Sequence, residues 1–428
     1  MRPSIIPAPI EQEEQTQDMS MLTRLAKYLL LTQLQKIRYG RLRLIDGKSE
    51  KVFGRISADA PFDATIRVRS PQFYSESVFG GTVGAGEAYI NDLWRCDNLT
   101  ALVRIFVVNR HMMNDMDSGW SRVSTPLFNL AHWLNRNHKL GSRRNIAAHY
   151  DLGNAFFELF LDETMAYSCG IFESADATLY DASVAKFDAA CRKLALTPAH
   201  HLLEIGTGWG GLAIHAASRY GCKVTTTTIS QEQHDMAKER IEKTGLSDRI
   251  TLLKDDYRDV KGEFDAIVSI EMIEAVGHHF LDTYFKQCGR LLKPDGAMLL
   301  QAITIADQFY DQARRSVDFI QRFIFPGSFI PSVRAIVDSV ARSTDMKLYH
   351  LEDIGPHYAK TLRLWRERFL ERLPDVRAQG YPDTFIRMWE YYLCYCEGGF
   401  EERSLGDVQM LLTKPHSRRP PVATVLAR

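Results

Sequence analysis

The chain has 428 residues, 45% of them hydrophobic and 25% charged, a soluble globular balance long enough for two domains. Lys plus Arg equals Asp plus Glu at 53 each, so a net charge of zero excludes a global pull toward nucleic acid or anionic membrane. No apolar run approaches the roughly 20 residues of a membrane span, and the N-terminus lacks the basic start and apolar core of a signal peptide.

Residues 1–20, with three early prolines and the run EQEEQTQD, read as a disordered tail. From Met21 a helical pattern (Leu22, Leu25, Leu29, Leu30) leads into GRLRLIDGKSEKVFG, where alternation around an Asp-Gly turn predicts a hairpin. Short strands are expected to continue through ATIRVRS and the glycine-rich FGGTVGAGEAYINDLW. A helix over Leu99–Asn109 follows, with Leu102, Ile105 and Phe106 inward. Together these make a small α+β domain over 21–135.

The basic stretch 136–144, with Arg136, His138, Lys139, Arg143 and Arg144, reads either as a solvated linker or as a patch that meets lipid phosphates. From Asn145 to about 415 the chain alternates helix and strand. ASVAKFDAACRKLAL puts Val184, Phe187, Cys191 and Leu194 on one helical face. The strand HLLEI runs into a glycine turn (Gly206, Gly208, Gly211) and a helix, and strands CKVTTTT, ITLL, FDAIVSI and AMLLQAIT follow with helices between. This order predicts an α/β fold: a doubly wound, mostly parallel Rossmann-like sheet with helical insertions, with ligands at the carboxyl ends of its strands. The aromatic stretch 307–331 interrupts the pattern as a lid or substrate channel. The amphipathic run from Tyr358 to Glu401 reads as helices with aromatic cores, and 416–428 as a tail.

Seven cysteines are scattered without a CxxC pair or metal-ligand spacing, which points to a reducing cytosol and no metal site. The glycine turn suits NAD or S-adenosylmethionine. NAD binding calls for an acid ending the second strand, whereas that strand ends in Thr226, Thr227 and Thr228; the acid Glu204 precedes the turn instead. S-adenosylmethionine is the better reading, with Asp256 placed to contact adenosine.

AHYDLGNAFFELFLDETMAYSCGIF, LLEIGTGWGG, TISQEQ, DDYRD, VSIEMIEAVG, FIFPGSFIPSV and GPHYAKTL, in that order, resemble the cyclopropane-fatty-acyl-phospholipid synthase family over about residues 35–412. The resemblance implies transfer of a methylene group from S-adenosylmethionine to the double bond of an unsaturated phospholipid acyl chain. It places the cofactor at Tyr167, Ser168, Glu204, Gly206, Thr207, Gly208, Gly210, Thr228, Ser230, Gln233, Asp256, Tyr257 and Arg258. It also implies a bicarbonate ion as base, held at Cys169, Glu274, Gln301, Ile303 and Tyr358, although the family has histidine where this chain has Gln301. Cys396 matches a candidate nucleophile position, but the reaction needs no enzyme nucleophile.

The chemistry is consistent with such a site. Methylating an alkene leaves a carbocation that water would trap, so the site must be dry, and a base must then remove a proton to close the ring. The implied setting is cytoplasmic, with transient peripheral contact at the inner membrane surface and no nucleic acid; a homodimer stays open. A methylene- or methyl-branched product is the alternative within the same chemistry, and a non-catalytic lipid-binding protein the alternative outside it.

Overall fold

The computed structural model describes residues 20–110 and 152–422. The expected tails up to residue 19 and from 423, and the basic stretch 136–144, lie outside the described residues. The chain forms two compact units. The first takes its described residues from 20–110, 316–324 and 366–404, and the second from 152–315, 325–365 and 405–422. The helical stretches 316–324 and 366–404, expected to belong with 145–415, therefore pack in the first unit.

In that unit a sheet of order β2-β1-β3-β4 is built from β1 (Gly40–Asp46), β2 (Ser49–Arg55), β3 (Asp63–Val68) and β4 (Trp94–Cys96). The Asp46-Gly47 hairpin joins β1 and β2 as the alternation predicts, with Leu42 and Leu44 buried and Arg41 and Arg43 half-buried. The glycine-rich stretch expected as strand is instead two helices, Gln72–Phe79 and Gly81–Ile90. Its glycines serve close helix packing rather than strand turns: a Cβ on Gly84 would lie 2.2 Å from the Glu76 carbonyl oxygen. The aromatics of helix Asp383–Glu401 are core, with Trp389, Tyr392 and Phe400 buried and Glu390 accepting from Tyr89 Oη at 3.1 Å.

The second unit carries a seven-stranded sheet of order β10-β11-β9-β8-β5-β6-β7. The strands are β5 (His201–Ile205), β6 (Lys223–Thr227), β7 (Ile250–Leu253), β8 (Phe264–Ile270), β9 (Leu292–Ile305), β10 (Lys347–Asp353) and β11 (Leu405–Thr413). β5 to β9 are parallel and β11 runs antiparallel between β9 and β10, so the expected doubly wound α/β sheet is what forms. Buried apolar clusters cover both faces, which is why HLLEI and FDAIVSI read as continuous apolar runs. From β5 the chain winds outward through β6 and β7, then returns to the other side of β5 as β8. The strand order thus reverses between β5 and β8, where open α/β sheets form their ligand crevice.

Candidate active site

At the carboxyl end of β5 the backbone turns through Gly206 (φ 99°), Gly208 (φ 52°) and Gly210 (φ 85°), and Gly210 caps the helix Gly211–Tyr220. These values lie in the left-handed region, where glycine carries no Cβ penalty. A Cβ on Gly208 would meet nothing within 4 Å among the described residues, so these leave open space at the tip of the turn. Glu204 is buried just before the turn and accepts from Thr226 Oγ1 at 2.5 Å, and Thr207 Oγ1 pairs with that same hydroxyl at 2.7 Å. Burial pushes the Glu204 carboxyl up to about 8.

Past β6, Thr228 Oγ1 donates to Gln233 Oε1 at 2.9 Å, and Ser230 caps the helix Gln231–Lys243 by accepting from Gln233 N. Past β7, Asp256 is held by the Arg258 fork, Nε at 2.7 Å and Nη2 at 2.6 Å, while Tyr257 packs edge-on against Tyr284. Tyr167 packs against Phe157 and Trp365, and Ser168 accepts from Lys186 Nζ at 2.6 Å. The expected cofactor residues therefore gather at the carboxyl ends of β5, β6 and β7 and on the 167–168 segment. An open glycine turn beside a helix N-terminus fits S-adenosylmethionine.

A second cluster forms at the end of β8. Glu271 has φ 47°, a left-handed backbone that costs a non-glycine residue about 1 kcal/mol. Its N–H donates to the Gln301 carbonyl on β9, which fixes the turn. Three donors converge on its carboxylate: Cys169 N (2.8 Å) and Gln301 Nε2 (2.8 Å) on Oε1, and Tyr358 Oη (2.6 Å) on Oε2. Glu274, in the 3-10 turn Ile273–Ala275, accepts from Ile303 N at 2.6 Å through Oε1, while its buried Oε2 has no partner among the described residues. Burial, and then the Glu271 charge, push Glu274 up to about 8. Asp407 on β11 approaches Gln301 Nε2 at 3.1 Å and is driven well above the usual carboxylate range, first by burial and then by Glu271.

The residues expected to hold bicarbonate are thus brought together, but around a side chain. Cys169 N, Gln301 Nε2 and Tyr358 Oη bond to Glu271, and Ile303 N bonds to Glu274. Since the donors expected for a bicarbonate ion already hold carboxylates of this chain, the residues present do not fit that ion. Cys169 takes part through its backbone N–H; burial raises its thiol, which donates to carbonyls. Gln301 is a structural amide, accepting from Gln409 Nε2 at 2.9 Å directly across the β9–β11 register. Cys396 lies on helix Asp383–Glu401 in the first unit, with its thiol pushed up by burial, so nothing there activates it as a nucleophile.

Sequence reasoning missed Glu271, Asp407 and Lys186. Lys186 is a fully buried cation on the helix Leu179–Lys193, with its ammonium pKa lowered by burial against the pull of Glu271. The helix buries Ser183, Lys186 and Lys193 as well as its apolar residues, and that second face was the available signal.

Residues 137–410 match the model of the family described as mycolic acid cyclopropane synthetase. The chain belongs to this family. It is an S-adenosylmethionine-dependent methyltransferase. It is 39% identical over 371 residues to the cyclopropane-fatty-acyl-phospholipid synthase of Escherichia coli, covering 84% of this chain and 90% of that one. It is 38% identical over 341 residues to the tuberculostearic acid methyltransferase UfaA1 of Mycobacterium tuberculosis, covering 78% and 79%. Among solved structures it is similar to the mycolic acid cyclopropane synthase CmaA1 complexed with SAH and CTAB, with TM-score 0.60, 31% identity, 64% of this chain and 98% of that one.

Proposed function

We propose that this protein adds a methylene group from S-adenosylmethionine across the double bond of an unsaturated phospholipid acyl chain, giving a cyclopropane. The observation that carries this reading is the extent of the likeness to the E. coli phospholipid enzyme. Its 371 residues reach beyond the 137–410 family region into the small N-terminal unit. The glycine turn with Glu204, Gly206, Thr207, Gly208 and Gly210, together with Thr228, Ser230, Gln233, Asp256, Tyr257, Arg258, Tyr167 and Ser168, would hold the cofactor, which when bound supplies an electrophilic methyl. The aromatic packing of Phe157, Tyr167, Trp209 and Trp365 suits a dry site.

The related reading is a methyl- or methylene-branched product, favoured by the 38% identity to the tuberculostearic acid methyltransferase. Gas chromatography and mass spectrometry of fatty-acid methyl esters from a host expressing the chain separate the two. A ring-containing ester supports the proposal, and a branched ester without a ring replaces it.

Contact with lipid is inferred to be peripheral, at the cytoplasmic surface of the membrane. The acyl substrate lies in a bilayer, and no helix among the described residues is long and apolar enough to cross one. Sedimentation with anionic and zwitterionic vesicles at low and high salt tests it; equal binding to both would remove the basic stretch 136–144 from the reading.

A further inference from the structure

The carboxylate of Glu271 occupies the place where the family resemblance puts a small anion. Three donors from three separate segments, Cys169 N, Gln301 Nε2 and Tyr358 Oη, end on its two oxygens at 2.6–2.8 Å. A bicarbonate ion and a glutamate carboxylate present the same planar pair of acceptor oxygens, so one set of donors cannot serve both at once. The chain accepts a left-handed backbone at Glu271 (φ 47°), a conformation suited to glycine, in order to put this side chain there. The residue is half-buried, unlike Asp407, which is shut from solvent and paired to Gln301.

We propose that Glu271 is the built-in base of this enzyme, replacing bicarbonate, so that its chemistry is independent of dissolved bicarbonate. The inference rests on the cyclopropanation reading above. In the step assigned to Glu271, a C–H bond of the newly added methyl breaks and its electron pair forms the ring C–C bond to the cationic carbon. The proton passes to a Glu271 oxygen, so the positive charge of the acyl chain is cancelled and nothing is oxidised. Tyr358 and Gln301 position the carboxylate. Burial and the Glu271 charge drive Asp407 well above the usual carboxylate range and raise Glu274 to about 8, which favours their neutral forms and limits the negative charge around Glu271. Burial lowers the pKa of the Lys186 ammonium, and the Glu271 charge pulls it back toward its charged form.

The test uses the full-length enzyme, S-adenosylmethionine and unsaturated phospholipid vesicles, in buffer stripped of carbon dioxide or supplemented with millimolar bicarbonate. Wild type is expected to show the same rate in both. Glu271→Gln, which fills the site without a base, is expected to lose roughly 100-fold or more in rate and gain nothing from bicarbonate. Glu271→Gly relaxes the positive φ and empties the site; it is expected to lose as much rate in stripped buffer and recover several-fold on adding bicarbonate. Cofactor affinity by calorimetry is expected to stay at the wild-type value in both variants.

Stimulation of wild type by bicarbonate, or a Glu271→Gln enzyme that keeps most of its rate, overturns the proposal. If no variant, wild type included, forms product, the substrate reading has failed, and thermal shift still decides the site. Bicarbonate that raises the melting temperature of Glu271→Gly but not of wild type supports occupation by the side chain, whereas equal shifts in both overturn it.

Discussion

The ends of β5 and β8 lie side by side at the switch point of one sheet, yet they are built on opposite principles. The β5 end is a local device: consecutive residues from Glu204 to Gly210 shape a turn, and the backbone makes the site. The β8 end is a meeting point. Its carboxylate is held by the 169 segment, β9 and the helix Gly355–Glu371, and its neighbour Asp407 comes from β11. A backbone site can be read from a short string of sequence. A convergent site cannot, because the partners of its central residue are scattered over 190 positions of chain.

The largest expected effect sharpens the first half of that contrast. Gly206→Val places a branched side chain at φ 99°, with its Cβ 3.3 Å from Met272, so it is expected to abolish measurable cofactor binding and also lower the melting temperature. Gly208→Ala separates the two effects. Its Cβ enters open space, the backbone costs about 1 kcal/mol, and cofactor affinity falls by about tenfold or more if the space belongs to the cofactor. Calorimetry alongside thermal melting checks both variants. Unchanged affinity in a folded Gly208→Ala protein would move the cofactor away from this turn.

At the other strand end, Tyr358→Phe removes one donor to Glu271 Oε2 and keeps the ring. A hydrogen bond to a charged group is worth about 1.5–3 kcal/mol, so kcat is expected to fall roughly ten- to 100-fold. Cofactor affinity stays at the wild-type value, because the turn after β5 is untouched. A parallel loss in both quantities would show that the two strand ends are not separate devices.

The same division explains what the sequence made legible. The five parallel strands β5 to β9 and the Asp46-Gly47 hairpin follow from apolar runs, alternation and turn residues, all of which act over a few residues; β10 and β11, and the order of the seven strands, do not. The stretch Phe79–Ile90 misled because glycine marks turns in a sequence and close helix contacts in a structure; only the neighbour at Glu76 tells them apart. Glu274 stands out in the motif VSIEMIEAVG through the family resemblance, whereas Glu271, three residues earlier in that motif, does not. Its importance lies in φ and in three distant donors, neither of which a carboxylate in a string reveals. Gln301 is legible as a departure from the family's histidine, but its role, donating to Glu271 just past β8 on one side and to Asp407 on β11 on the other, is visible only once β9 is placed between those two strands.

The smallest effect distinguishes the buried Glu204 from the half-buried Glu274, both pushed up to about 8 from a usual 4.5. Such a group binds a proton in the folded state that it has lost in the unfolded one. Its contribution is therefore complete below about pH 4.5 and is lost as pH rises toward 8, at up to about 1.4 kcal/mol per pH unit. Glu204→Gln or Glu274→Gln is expected to flatten the fall in urea midpoint between pH 5 and pH 8. The causes differ, however. Burial alone raises Glu204, against Thr226 and Lys186, whereas Glu274 is raised by burial and also by the charge of Glu271. Glu271→Gln removes that charge, so the Glu274 carboxyl titrates at lower pH while Glu204 stays where it was. Carbon-13 NMR of labelled glutamate carboxyls reads both shifts in one sample. A Glu274 titration that does not move in Glu271→Gln would break the electrostatic link at the β8 end and leave its acids as independent groups.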